Sequence, residues 1–272
     1  MLRMQFTNWV RRSPLIAYFV LVFAIEWLLV FILSPFVPPV LALLAGSWLP
    51  NGVGLLVIGV AGGRAGLRQA LGRATRWRFD IKWYVIPLLA PIGTALLVIG
   101  LNVLMGRGTP AFAPAGHLLP ILLAALFTGA LGEELGWRGV GLPGLQSLWN
   151  PLASSLILGL LWGLYHLPAF FLSGLSQQNL PLLPFIAAAI GISVLVSWTY
   201  NRTGGSLIPV FLCHFSFNFV GNATGIFGNP SLFGLWAAIC SAVAMGVVAL
   251  DWGLFTRPAV SVPADGIWTT RP

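Results

Sequence analysis

The sequence predicts an all-α fold, a polytopic membrane protein of about eight transmembrane helices with a polar site inside the helix bundle. Three observations predict it. Charged residues make up 7% of the 272 and hydrophobic ones 58%, against roughly 25% charged in an ordinary soluble domain. Apolar runs recur at the length of about 20 residues that a helix needs to cross a bilayer. The basic residues gather at the ends of those runs, as topology determinants do. A water-soluble fold of this composition would expose large apolar patches, so lipid is the solvent of most of the surface.

The opening Met1–Ser13, with Arg3, Arg11 and Arg12, has the charged start of a signal peptide. The apolar run behind it is too long for one, and no small-residue cleavage site closes it. It is read as a retained first helix. The spans run at approximately 15–37, 39–62, 83–105, 118–140, 153–173, 182–201, 206–228 and 231–254. An even count puts both termini on one side. With the N-terminus cytoplasmic and Arg138 counted at the inner end of the fourth span, 13 of the 14 Lys and Arg lie inside and only Arg107 outside, the asymmetry the positive-inside rule requires. The chain divides into a cytoplasmic N-terminal segment (1–14), a single transmembrane domain (15–257) and a short polar, proline-containing tail (258–272) expected to be disordered and cytoplasmic. Composition and short loops suggest a bacterial inner (cytoplasmic) membrane.

Arg64 to Lys82 holds six basic residues with Leu67, Leu71, Trp77 and Phe79 among them. It suits an amphipathic helix on anionic headgroups, or a solvated basic loop. A net charge of +8 does not point to nucleic acid, because no basic stripe interleaved with exposed aromatics is present. Cys213 and Cys240 lie in apolar runs, as small packing residues do. No internal repeat of the transporter kind is visible.

Ionisable groups within a bilayer are expensive and therefore candidates for function. They are Glu26, Glu133, Glu134, Arg138, His166 and His214, with Asp251 near a span end and His117 in an outer loop. In the fourth span Glu134 and Arg138 stand at i and i+4, within ion-pair reach. Glu133 is about 140° from Arg138 but within about 60° of Gly129 and Gly136 on an ideal helix. Glu134 is thus the carboxylate Arg138 neutralises, and Glu133 is left on a glycine-lined face as a candidate base. In the fifth span Gly159 and Gly163 form a small-xxx-small face that carries His166, with Trp162 one turn before it as a wall. In the seventh, His214 and Asn218 share a face. Each feature also has a plain structural reading: a hydrogen-bonded packing histidine, an ion-paired helix end, interhelical glue. Glu26 is either a proton-relay carboxylate or an interhelical hydrogen-bonding group.

The string Glu133-Glu134-x-x-Trp137-Arg138, the pair Trp162-x-x-x-His166 and the pair His214-x-x-x-Asn218 resemble the successive motifs of the CPBP (CAAX protease and bacteriocin-processing, or Abi) intramembrane proteases, relatives of the Ras-converting CAAX prenyl protease. The resemblance covers about 115–225, with Trp162 where many members carry Phe. It implies an endopeptidase in which Glu133, assisted by His166, activates water. His214 and Asn218 would stabilise the oxyanion, and Glu134, Arg138 and Trp162 would support them. The substrate would be a membrane-associated or lipidated peptide near the cytoplasmic face, with membrane lipids as the other partners and no nucleic acid. Family members are commonly labelled metalloproteases; if zinc were bound, Glu133, His166 and His214 would be its ligands, although His-Glu-x-x-His is absent and Asn218 is a poor zinc ligand. Glutamate-activated water without a cofactor is the preferred expectation. The rival expectation is a non-catalytic scaffold, an immunity factor, or an ion-coupled transporter using the same buried residues. Pro50-Asn51 as a break in the second span would suit the transporter.

Overall fold

The computed structural model describes residues 2–172, 175–257 and 267. All regular structure among them is helical. The tail expected to be disordered lies outside the described residues except for Ile267. That residue is buried against Gly62 and Gly66 of the second span.

Helix α1 (Leu2–Arg12) gives way at Ser13 to α2 (Pro14–Leu33). The expected second span is two helices, α3 (Pro39–Ser47) and α4 (Leu49–Ala74). The break falls at Trp48, just before Pro50, whose missing N–H suits only a first helical turn. Helix α4 runs well past its expected end, bending at Gly63, where φ is 58°, a conformation reserved for glycine. The basic segment after Gly63 is helical only to Ala74. Arg73 is buried and donates to the Gly139 carbonyl, and Arg76 donates to the Gly204 carbonyl at 2.6 Å. This part of the segment docks on the bundle instead of lying wholly on headgroups. Asp80 accepts from the Lys82 backbone N–H at 3.0 Å and its ammonium lies 3.1 Å away, which holds the carboxyl below its ordinary range and opens α5 (Lys82–Leu104).

Helix α6 (Ala115–Gln146) contains the acidic string. It is followed by α7 (Pro151–Tyr165), α8 (Leu182–Arg202), α9 (Ile208–Ala223), α10 (Pro230–Leu250) and the short α11 (Trp252–Thr256). Asn150 and Asn229 cap α7 and α10 by accepting backbone N–H groups, in the preferred position for that side chain. Among the described residues seven apolar stretches are long enough to cross a membrane, and α9, of 16 residues, is a shorter eighth. At 1.5 Å per residue it reaches about 24 Å, because Gly225 at φ 70° turns the chain. Helix α9 packs on α5, α6 and α8, so it is an inner helix. Outer faces carry Ile16, Leu28, Leu96, Leu183 and Leu250, all more than half exposed, as lipid contact requires. The chain is an integral membrane protein.

Candidate active site

The site is built around α6, whose helical ladder is interrupted twice. Ala125–Ala130 and Trp137–Gly141 are π-helical, and between them lies one α-helical stretch, Leu131–Gly136. Wide turns of this kind leave backbone groups without their usual partners and are frequent at functional sites. Asn51 of α4 repairs the ladder across the gap. Its amide donates to the Leu131 carbonyl at 2.7 Å and its oxygen accepts from the Gly136 N–H at 2.8 Å. The helix break before Pro50 therefore serves to bring Asn51 onto α6.

Glu134 and Arg138 are fully buried, and the guanidinium spans both carboxylate oxygens at 2.8 and 3.1 Å. The same carboxylate accepts from His214 Nδ1 of α9 at 2.6 Å. Arg138 also lies over the Trp162 ring, 5.1 Å from its centre, an attraction that strengthens when water is excluded. Glu134 thus fixes the His214 ring through Nδ1 and leaves Nε2 facing the other way. A Cβ added at Gly129 would sit 3.0 Å from that Nε2 and collide with the Asn218 amide.

Glu133 points to the other side. Its Oε2 accepts two indole N–H groups, from Trp162 at 2.7 Å and from Trp137 at 3.1 Å. His166 follows the last residue of α7 and donates from Nδ1 to the Trp162 carbonyl at 2.8 Å. A carbonyl only accepts, so Nδ1 carries the hydrogen and Nε2 is an acceptor. Glu133, Trp162, His166, His214 and Asn218 all line one cavity of about 350 Å³, while Glu134 and Arg138 stand behind its wall.

The sequence model of the Type II CAAX prenyl endopeptidase Rce1-like family matches residues 115–220. All the residues just described except Asn51 fall inside that segment. This match supports a CPBP/CAAX-protease-like reading of that segment. A CAAX prenyl protease 2 of Methanococcus maripaludis is 27% identical over 146 residues, covering 49% of this chain and 53% of that protein. The chain spans about half the length of the curated relative it matches.

Within this segment the structure departs from the ideal-helix expectation at Gly136 and at His166. Gly136 does not share the Glu133 face; a Cβ there would strike the Pro50 backbone, and one at Gly132 would meet the Ser47 carbonyl. Glu133 and Gly136 lie in one α-helical stretch, and their offset of about 60° is enough to turn Gly136 onto α4, so of the two glycines Gly129 faces the cavity. His166 is not mid-helix, because Pro168 cannot donate the next backbone hydrogen bond and the chain continues as the 3₁₀ turn Leu167–Phe171. Gly159 and Gly163 do meet a neighbour, α8 at Ile190 and Ile186, which places Phe185 5.6 Å from the His166 ring. Four contributors were missed: Trp137, Asn51, the Glu134–His214 bond, and Tyr165 of the cavity wall. Trp137 had a signal in its i,i+4 spacing from Glu133; the others depend on tertiary packing.

Among the described residues no three His, Cys, Asp or Glu side chains gather as a metal-binding group. The Glu133 oxygen Oε2 is already taken by two indole donors, and His214 is turned by Glu134. The side chains of Glu133, His166 and His214 line one cavity but are not gathered as a zinc ligand set.

Proposed function

We propose that the chain is an intramembrane endopeptidase that hydrolyses a peptide bond near the cytoplasmic membrane face with glutamate-activated water. The observation carrying this reading is the convergence of Glu133, His166, His214 and Asn218 on one cavity. Two indole donors orient the Glu133 carboxylate so that its remaining oxygen can take a proton from water. The His166 Nε2 lone pair is free to hold that water's second hydrogen. Attack on the scissile carbonyl builds negative charge on its oxygen. His214 Nε2 and the Asn218 amide flank the bare Gly129 backbone, where N–H donors would receive that charge. Glu134, paired with Arg138, holds the His214 ring through Nδ1 so that Nε2 faces this position. No step requires a metal.

The family description and the relative's name direct the substrate reading to a prenylated C-terminal tail, one kind of lipidated membrane peptide. The apolar lining, including Leu43, Phe185, Phe227 and Phe233, suits a hydrophobic chain. The basic-residue asymmetry supports cytoplasmic termini, and the composition and short loops support a bacterial inner membrane. The test compares membrane peptidomes made with wild-type protein and with Glu133→Gln by mass spectrometry, alongside His166→Ala. Substrate cleavage should vanish in both variants while each still inserts and purifies. Unchanged peptidomes would instead favour a scaffold, immunity factor or transporter. Purification without chelators, followed by metal analysis and activity before and after chelation, tests the metal-free mechanism; stoichiometric zinc whose removal ends turnover would overturn it.

A further inference from the structure

The cavity has a second carboxyl that the mechanism above does not use. Glu26 of α2 is 4% exposed and lines the same cavity as Glu133, and its Oε2 is buried without a hydrogen-bond partner. A buried polar atom left unpaired in a native fold calls for an explanation. The surroundings are built to hold it. The carboxyl lies flat on Gly46 of α3, where any Cβ would collide with both oxygens. The Tyr165 hydroxyl donates to the Gly46 carbonyl at 2.7 Å, and the Tyr165 ring packs 5.3 Å from that of Trp137, a donor to Glu133. Pro14 to Glu26 in α2 and Glu133 to Gln146 in α6 are each about a dozen residues, so both carboxyls lie roughly 18–20 Å from the same edge of the bundle.

The two carboxyls differ in surroundings. Glu133 receives two N–H donors, which suit a carboxylate. Glu26 has no hydrogen-bond partner on Oε2 and shares the cavity lining with Val30 and Leu43, a setting in which an isolated charge is costly. Resting on the endopeptidase reading, we infer that Glu26 is a second catalytic residue, the acid that protonates the leaving amine. Water gives one proton to Glu133 as its oxygen bonds to the carbonyl carbon. On collapse the C–N bond breaks, its electron pair stays on nitrogen, and the Glu26 proton completes the amine. The proton held by Glu133 then returns to Glu26, and the products are one carboxylic acid and one amine for one peptide bond and one water. Separate environments for two acids in one site commonly divide acid and base work in this way.

The test uses a fluorescence-quenched farnesyl-cysteine peptide in detergent micelles, together with its ester analogue in which oxygen replaces the scissile N–H. An ester's leaving group departs without prior protonation far more readily than an amine. Glu26→Gln should lower amide turnover by about 10²-fold, the usual scale of general acid catalysis. Its KM should stay within about threefold and its ester turnover within about fivefold of wild type. Equal losses on both substrates, or amide turnover equal to wild type, would overturn the assignment. If Glu26→Gln does not fold, Glu26→Asp decides, because it keeps the acid but withdraws it by a methylene; the amide-selective loss should persist, and a uniform loss counts against the proposal. Wild-type protein that cleaves neither substrate sinks the endopeptidase reading itself, and this inference with it.

Discussion

Glu134 accepts from Arg138 on one side and His214 on the other with no exposed surface on either Glu134 or Arg138, so its charge has no access to water. Removing one partner of a buried pair strands the other, at about 3–5 kcal/mol, whereas removing both together can be nearly neutral. Arg138→Met should therefore lower the thermal unfolding midpoint in detergent sharply, and Glu134→Gln combined with Arg138→Met should recover most of the loss without recovering activity. A double variant no more stable than the single one would mean the pair is not an isolated buried unit. Trp162→Phe is a milder change. It keeps the aromatic wall but deletes the 2.7 Å donor to Glu133. Loss of one hydrogen bond to a charged group is worth about 1.5 kcal/mol or somewhat more. Turnover should fall about tenfold at nearly constant KM, read by steady-state kinetics on a quenched peptide.

Helix α6 is where the glycines do different work, and two substitutions separate them. At Gly129 an added methyl meets only side chains, the Asn218 amide and His214 Nε2. Gly129→Ala should fold but lose at least about 10²-fold in turnover, the scale of one removed oxyanion donor. At Gly136 the methyl meets the Pro50 backbone, which cannot swing aside, so Gly136→Ala should push α4 from α6 and appear as lost thermal stability or lost expression. Parallel behaviour of the two variants would contradict this division. The sequence makes part of this element legible. The i,i+4 spacing of Glu134 and Arg138 survives because it falls mostly within the α-helical stretch, and Glu133 does turn from Arg138 toward the cavity. The glycine face survived only at Gly129, which lines the cavity with Glu133; Gly136 is turned about 60° from Glu133 and packs on Pro50 of α4, a contact no local pattern announces. Asn51 was noticed as a helix breaker; its hydrogen bonds to α6, 80 and 85 residues away, are invisible to any local reading.

At the scale of the whole molecule, hydropathy located the helices because lipid leaves the backbone no partner but itself. It erred where protein replaces lipid as the neighbour: α9 is shorter than its apolar run, and α4 continues into the basic segment because Arg73 finds a carbonyl inside the bundle. Orientation is a separate matter, set by charge outside the helices. Arg76 and Arg78 lie beyond the end of α4, while Arg107 follows the end of α5, so a membrane-crossing α5 puts them on opposite faces. The Arg202–Asp251 pair, 2.5 Å apart and joined by the Trp198 indole at 2.7 Å, ties α8 to the end of α10. Successive crossings from α5 onward bring that tie back to the face of Arg76. Single cysteines introduced at Arg78, Arg107 and Arg202 in a chain lacking Cys213 and Cys240, probed in intact cells with an impermeant maleimide, should label only at 107 from outside. The other two should label only after permeabilisation. Labelling of 78 and 202 together from outside would invert the molecule and carry the cavity to the wrong face for a cytoplasmic tail; labelling that separated 78 from 202 would mean that one of α5 to α8 does not cross at all.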